Sequence, residues 1–160
     1  YFYILSLYII DMSKQEWGNA TWFLFHGLVT KLKPEYDSEY KVLLKHFITI
    51  CSHLPCPDCQ SHAIHTNNTA TLKMIRSNNN LKDYFWRFHN RVNQRLNKKQ
   101  FSMEQHDLMY NTCNVRLLVG PFRDAMNAKQ PFSLMMQSLH RKRVVDDFIS
   151  YIQNNFYKFN

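Results

Sequence analysis

The chain has 160 residues, a formal charge of +8, 45% hydrophobic residues and only three glycines. That length suits one folded domain, with or without an appended segment, and that apolar content excludes a disordered chain. With glycine only at Gly18, Gly27 and Gly120, neither a G-x-G-x-x-G turn nor a Walker A loop can be written, which excludes a Rossmann domain and a P-loop nucleotidase.

Tyr1 to Ile10 is almost entirely apolar. It is far shorter than the roughly 20 apolar residues that span a bilayer, so no stable membrane span is expected in this chain. Met12 followed by Ser13 and Lys14 reads as the natural start, with residues 1–11 as upstream translation. The other reading makes them the end of a truncated anchor. Residues 1–12 are therefore set apart as a non-native or N-terminal extension.

Helical spacing dominates the rest. A first helix is expected from Ser13 to Lys33, with Ser13 and Glu16 as a capping box and Pro34 at its end. A second is expected from Ser38 to about Cys51, burying Val42, Leu43, Phe47 and Ile50. Pro55 and Pro57 then break the chain, and a third helix should run to about His65. Thr69 to Arg76 reads as a short helix, and Asn78-Asn79-Asn80 as a loop. Leu81 to Asn97 is a strong helix, Lys98 to Ser102 a connector, and Met103 to about Leu118 a fifth helix. Gly120-Pro121 is read as a boundary. A last amphipathic helix is expected from about Arg141 to Tyr157. The fold class is all-α: a four- to five-helix bundle over residues 13–118 with a C-terminal helical extension over 119–160.

Three motifs carry chemistry. The first is Cys56-Pro57-Asp58-Cys59. C-x-x-C brings two sulfurs close enough to bond, and a helix N-terminus there favours a thiolate, which disulfide exchange requires. Zinc competes, because His62 and His65 extend the pattern to C-x-x-C-x-x-H-x-x-H. Four ligands along one short helix make poor tetrahedral geometry, however, and no metal site is assigned. The second motif is Trp17-Gly18 with Trp22 and His26. Positions 18, 22 and 26 share a helical face, and a glycine there lets another group approach. The third is His89-Asn90-x-Val92-Asn93 with Lys98 and Phe101. An imidazole and two amides offer hydrogen bonds to a heteroaromatic ring, and Lys98 offers a point charge to a phosphate.

These three motifs in this order resemble the Erv/ALR family of FAD-linked sulfhydryl oxidases, over about residues 14–115. The wording around Cys56 and from His89 to Lys99 is most similar to versions from large cytoplasmic DNA viruses. The resemblance implies a helical bundle holding FAD. It implies Cys56 and Cys59 as the catalytic pair, with Cys59 beside the flavin and Cys56 as the more exposed sulfur that meets substrate. Trp17, Gly18, Trp22, His26, Cys59, His89, Asn90, Val92, Asn93 and Lys98 are the implied cofactor-binding residues. Electrons would pass to molecular oxygen, giving hydrogen peroxide. The partner would be a thiol-bearing protein substrate or a thioredoxin-like C-x-x-C relay protein, and a homodimer is the family default. A viral source would imply host cytoplasm and virion; a cellular source, the mitochondrial intermembrane space.

Two features depart from many cellular relatives. Ser102 and Met103 follow Phe101 where a further structural cysteine is common, and no second cysteine pair exists to act as a shuttle. Cys51 and Cys113 are expected to be buried, inert thiols. A nucleic-acid-binding protein is the rival from charge and aromatic content, but no recognition module is legible, so no nucleic-acid partner is expected.

Overall fold

A computed structural model describes residues 2–67, 72–128 and 135–160, with the side chains of 2–14 left aside. Among the described residues seven α-helices are formed: α1 (Phe2–Lys31), α2 (Tyr40–Cys51), α3 (Pro57–Thr66), α4 (Asn78–Arg95), α5 (Met103–Tyr110), α6 (Val115–Met126) and α7 (Met135–Asn154). Short 3-10 turns cover Pro34–Glu39 and Phe156–Lys158. Among the described residues the sole β pairing is an isolated antiparallel bridge between Leu32 and Phe159. The all-α class is as expected, but several boundaries differ.

α1 is one continuous helix from Phe2, so no helix terminus exists at Ser13 for a capping box to satisfy. Ser77 caps α4, its Oγ accepting from the Asn80 N–H at 3.2 Å. The three asparagines therefore form a first helical turn instead of a loop, because a cap supplies the partner their exposed N–H groups need. The expected fifth helix is two. Asn114 accepts from the Arg116 N–H at 3.0 Å and starts a new helix after a break at Asn111 and Thr112. The expected boundary at Gly120-Pro121 falls inside α6. Pro121 cannot donate to the Leu117 carbonyl, but both residues are exposed, so water can satisfy that group. Of the expected helix at Thr69 to Arg76, residues 69–71 lie outside the described residues; Leu72 is helical, Lys73 and Met74 form a turn, and Ile75 and Arg76 belong to no helix.

The core forms where apolar stripes converge. α1 buries Leu24, Phe25, Leu28 and Val29; α4 buries Leu81, Tyr84, Phe85 and Phe88; α6 buries Val115, Val119, Phe122 and Met126. These spacings of three and four put each set on one helical face. Val42, expected inside, is only half-buried. Phe25 sits at the centre, with ring centroids 4.9 Å from Phe47, 5.6 Å from Phe85 and 5.4 Å from Phe148. Val145, Phe148, Ile149 and Ile152 of α7 join this same core, so the C-terminal segment completes the bundle. Arg141, expected near the start of the last amphipathic helix, is 4% exposed and donates from Nε to the Met126 carbonyl at 2.9 Å. It thereby satisfies a carbonyl at the end of α6. The chain end returns to α1: the Lys33 N–H donates to the Lys158 carbonyl at 2.9 Å, and the Asn160 N–H to the Lys31 carbonyl at 2.8 Å.

One glycine permits close helix packing. A Cβ on Gly27 would lie 2.8 Å from Leu118 Cδ1 and 3.1 Å from Cys113 Sγ. Helix α6 thus crosses α1 at Gly27. Gly18, the glycine singled out by spacing, has open space in place of a protein neighbour.

Candidate active site

α1, α3 and α4 meet around a cavity of about 470 Å³, within the range of roughly 300–1,000 Å³ typical of ligand sites. Trp17, Gly18 and Trp22 line it from α1, and Cys56, Cys59 and His62 from α3 or its cap. Phe88, His89, Val92 and Asn93 line it from α4, and Lys98 from the segment beyond.

The local sequence explains how the cysteines are presented. Cys56 precedes a proline and is extended, with φ −115° and ψ 113°. Pro57 begins α3, where its missing N–H costs nothing. Cys56 is therefore the N-cap, and its sulfur accepts from the Cys59 N–H at 3.2 Å. The two cysteines are disulfide-bonded, with Cα atoms 5.2 Å apart. The helix N-terminus and that hydrogen bond both stabilise negative charge on Cys56 once the bond opens. The expected order of exposure is reversed: Cys56 is buried at 6% exposure, whereas Cys59 is half-buried. The reason is the cap itself, which turns the Cys56 sulfur back over the first turn of α3.

Opposite the cysteines stands a flat wall. The Trp22 and His89 rings stack with centroids 4.2 Å apart and planes within 6°. Phe88 meets Trp22 edge-on at 5.5 Å. At the end of α4, Asn97 takes the left-handed conformation with φ 53°, a role asparagine tolerates. The Lys98 N–H then bonds back to the Asn93 carbonyl at 2.8 Å, which returns Lys98 to the cavity rim. Arg95 and Lys98 give that rim positive charge.

Two residues expected at the cofactor do not line the cavity. Asn90 is 8% exposed and clamps the connector instead. Its Nδ2 donates to the Phe101 carbonyl at 2.8 Å, and its Oδ1 accepts from the Phe101 N–H at 3.0 Å. The face of α4 on the cavity is centred between Phe88, His89, Val92 and Asn93, and at about 100° per residue Asn90 lies round the helix beyond its edge. His26 is fully buried behind His89, with its Nε2 3.0 Å from His89 Nδ1. Spacing missed His62, half-buried on the cavity wall two turns from the cap, and Phe88. The C-x-x-C-x-x-H pattern was the available signal for His62. His65 is exposed, and among the described residues no group of three or more His, Cys, Asp or Glu is placed to hold a metal ion.

Burial decides the titration of the unpaired thiols and the imidazoles. Cys51 is buried and its thiol is pushed up to about 12 by desolvation. Cys113 is half-buried and also raised by burial. Burial, then His89 and His106, hold His26 well below its ordinary range. Burial, then His106 and Lys98, lower His89 to about 3. A histidine kept neutral in the fold binds more protons when unfolded. Its stabilisation is complete above about pH 6.5 and is lost as pH falls below that. Between pH 7.5 and 5.5, His89, lowered to about 3, should by itself cost on the order of 1 kcal/mol, and His26 adds a loss of the same sign. Urea unfolding at the two pH values is the check; equal unfolding free energies would show that these imidazoles are not held neutral.

An all-α bundle that sets a C-x-x-C disulfide against an aromatic-walled cavity with a basic rim defines a class: a helical thiol–disulfide protein with room for a planar, anionic ligand. Residues 19–115 match the Erv1 / Alr family, and the chain belongs to that family. Over 88 residues it is 35% identical to a protein of Invertebrate iridescent virus 3 that carries the provisional name FAD-linked sulfhydryl oxidase, covering 54% of this chain and 60% of that one. Over 101 residues it is 32% identical to the FAD-linked sulfhydryl oxidase of African swine fever virus, covering 59% of this chain and 79% of that one. The first of these matches thus spans less than two thirds of its relative. No solved structure gives a significant match. Among the described residues no helix is long and apolar enough to cross a membrane.

Proposed function

We propose that this protein is an FAD-dependent thiol oxidase that makes disulfides in protein substrates through Cys56 and Cys59. The observation that carries the reading is a disulfide sharing one cavity with the Trp22–His89 stack and the Lys98 rim. The residues fit the cofactor. Stacked rings suit an isoalloxazine or a purine, and Arg95 and Lys98 suit a pyrophosphate. The open space beside Gly18 is where a side chain would intrude.

A substrate thiolate attacks the Cys56–Cys59 disulfide. A mixed disulfide forms, and the other sulfur leaves as a thiolate stabilised at the start of α3. A second substrate thiol then displaces the enzyme sulfur, so the substrate gains a disulfide and the protein is left with two thiols. Bound FAD supplies a two-electron acceptor that oxygen can restore, for the balance 2 RSH + O₂ → RSSR + H₂O₂. His89, Asn93 and Lys98 orient the cofactor, while Phe88 and Val92 keep the wall apolar. Cys51 is too poor a thiolate to exchange and Cys113 has no neighbouring cysteine, so neither serves as a shuttle within residues 1–160, and in this reading a separate protein brings thiols to the pair. With viral relatives, a disulfide relay serving virion proteins is the setting we assign.

A visible absorption spectrum of the purified protein tests the reading. Flavin bands bleached by dithiothreitol under argon and restored by air are expected. A preparation that stays colourless after incubation with FAD and gel filtration would overturn it.

A further inference from the structure

Behind the cavity wall lies a row of hydrogen-bonded groups that the three motifs only partly contain. Lys82 Nζ is 2.7 Å from Asp107 Oδ1, and the same oxygen is 2.9 Å from His106 Nδ1. His106 Nε2 is 3.1 Å from His26 Nδ1, and His26 Nε2 is 3.0 Å from His89 Nδ1. His106 and His26 are both fully buried. His89 ends the row at the cavity, stacked on Trp22.

The direction of this row follows from its outer end. An ionised carboxylate only accepts hydrogen bonds. Lys82 keeps Asp107 ionised, its carboxyl held below the usual range by the ammonium and by His106 despite an opposing burial penalty. Asp107 therefore takes the proton on His106 Nδ1. A neutral imidazole has one N–H, so His106 Nε2 is an acceptor and His26 must donate from Nδ1. By the same step His26 Nε2 accepts, and His89 donates from Nδ1. His89 Nε2 is left bare, with no protein hydrogen-bond partner among the described residues. Burial keeps all three rings neutral, as the logic requires.

We infer that Asp107 and His106 are positioning residues that set the polarity of His89, so that its Nε2 offers a lone pair to a hydrogen-bond donor on the bound cofactor. The matching group is a hydroxyl or an exocyclic amine; a phosphate or carbonyl oxygen is refused. The cofactor half of this inference rests on the reading of the cavity as an FAD site, and the polarity half does not.

Two measurements separate the halves. Nitrogen-15 NMR of the imidazoles in the whole chain at pH 7.5 should show Nδ1 protonated and Nε2 bare in His26, His89 and His106. A protonated Nε2 on His89 overturns the polarity with no reference to FAD. Asp107→Ala, at a half-exposed position and with the fold checked by circular dichroism, should give mixed tautomers along the row; an unchanged pattern also overturns it. FAD affinity, read by fluorescence titration, tests the other half. His106→Leu removes the acceptor facing His26 and should weaken FAD about five- to tenfold, the scale of one hydrogen bond. His106→Gln places an amide oxygen near the same point and should stay within about twofold of the parent. Equal losses in the two variants, or none in either, would overturn the selection of a donor. No FAD binding by the parent chain would overturn the cofactor half together with the proposed function, and leave the NMR result to stand.

Discussion

Cys59→Ser and Cys56→Ser should each abolish oxidation of dithiothreitol, followed as oxygen consumption. The loss should be at least about 10³-fold, the scale seen when one member of a catalytic unit is removed. Each sulfur is indispensable for a covalent reason: disulfide exchange needs a bond to open, and one cysteine cannot hold it. The double variant should be no worse than either single, because the pair acts as a unit. Serine nearly matches the volume of cysteine, and the lost bond closes only the short ring from Cys56 to Cys59. Its chain-entropy contribution is correspondingly small, so both variants should remain folded. Turnover retained by either variant, with the fold intact by circular dichroism, would eliminate the mechanism.

Phe148→Ala should destabilise the fold by about 3–5 kcal/mol. Phe148 is fully buried. It stacks on Phe25 at 5.4 Å, meets Phe122 edge-on at 5.9 Å and lies 4.9 Å from the His46 ring. Removing it deletes apolar area and leaves a cavity that α1, α2 and α6 cannot all close at once. The expected result in urea is a lower midpoint with an unchanged slope. A loss below about 1 kcal/mol would mean that the helix from Met135 to Asn154 is dispensable to the core, as an appended segment would be.

The helical class was legible because apolar residues recur at three and four along most of the chain. The stripe from Leu81 through Tyr84, Phe85 and Phe88 is the plainest case. The cysteine turn was legible as well, since Pro55 and Pro57 restrict the backbone whatever surrounds them. Helix ends were harder to place. Asn78-Asn79-Asn80 reads as a loop by composition, but a single capping hydroxyl on Ser77 turns it into helix. Gly120-Pro121 reads as a break, yet α6 passes through it because packing of Val119 and Phe122 outweighs one lost hydrogen bond.

The residue types at the site were determined by the sequence alone. C-x-x-C places two sulfurs within bonding reach, and one helical face can carry His89, Val92 and Asn93. Helical periodicity is a local property, and local properties survive without a fold. Which of those residues face the cavity was decided only in three dimensions. Asn90 turned out to clamp Phe101, and Arg141 to close α6. Gly27, and not Gly18, proved to be the glycine against which another helix packs. His106 and Asp107, about 80 residues along the chain from His26, came to stand behind His89. No spacing rule reaches across that distance. These pairings exist because α1, α4 and α5 pack against one core, and packing is a property of the whole chain.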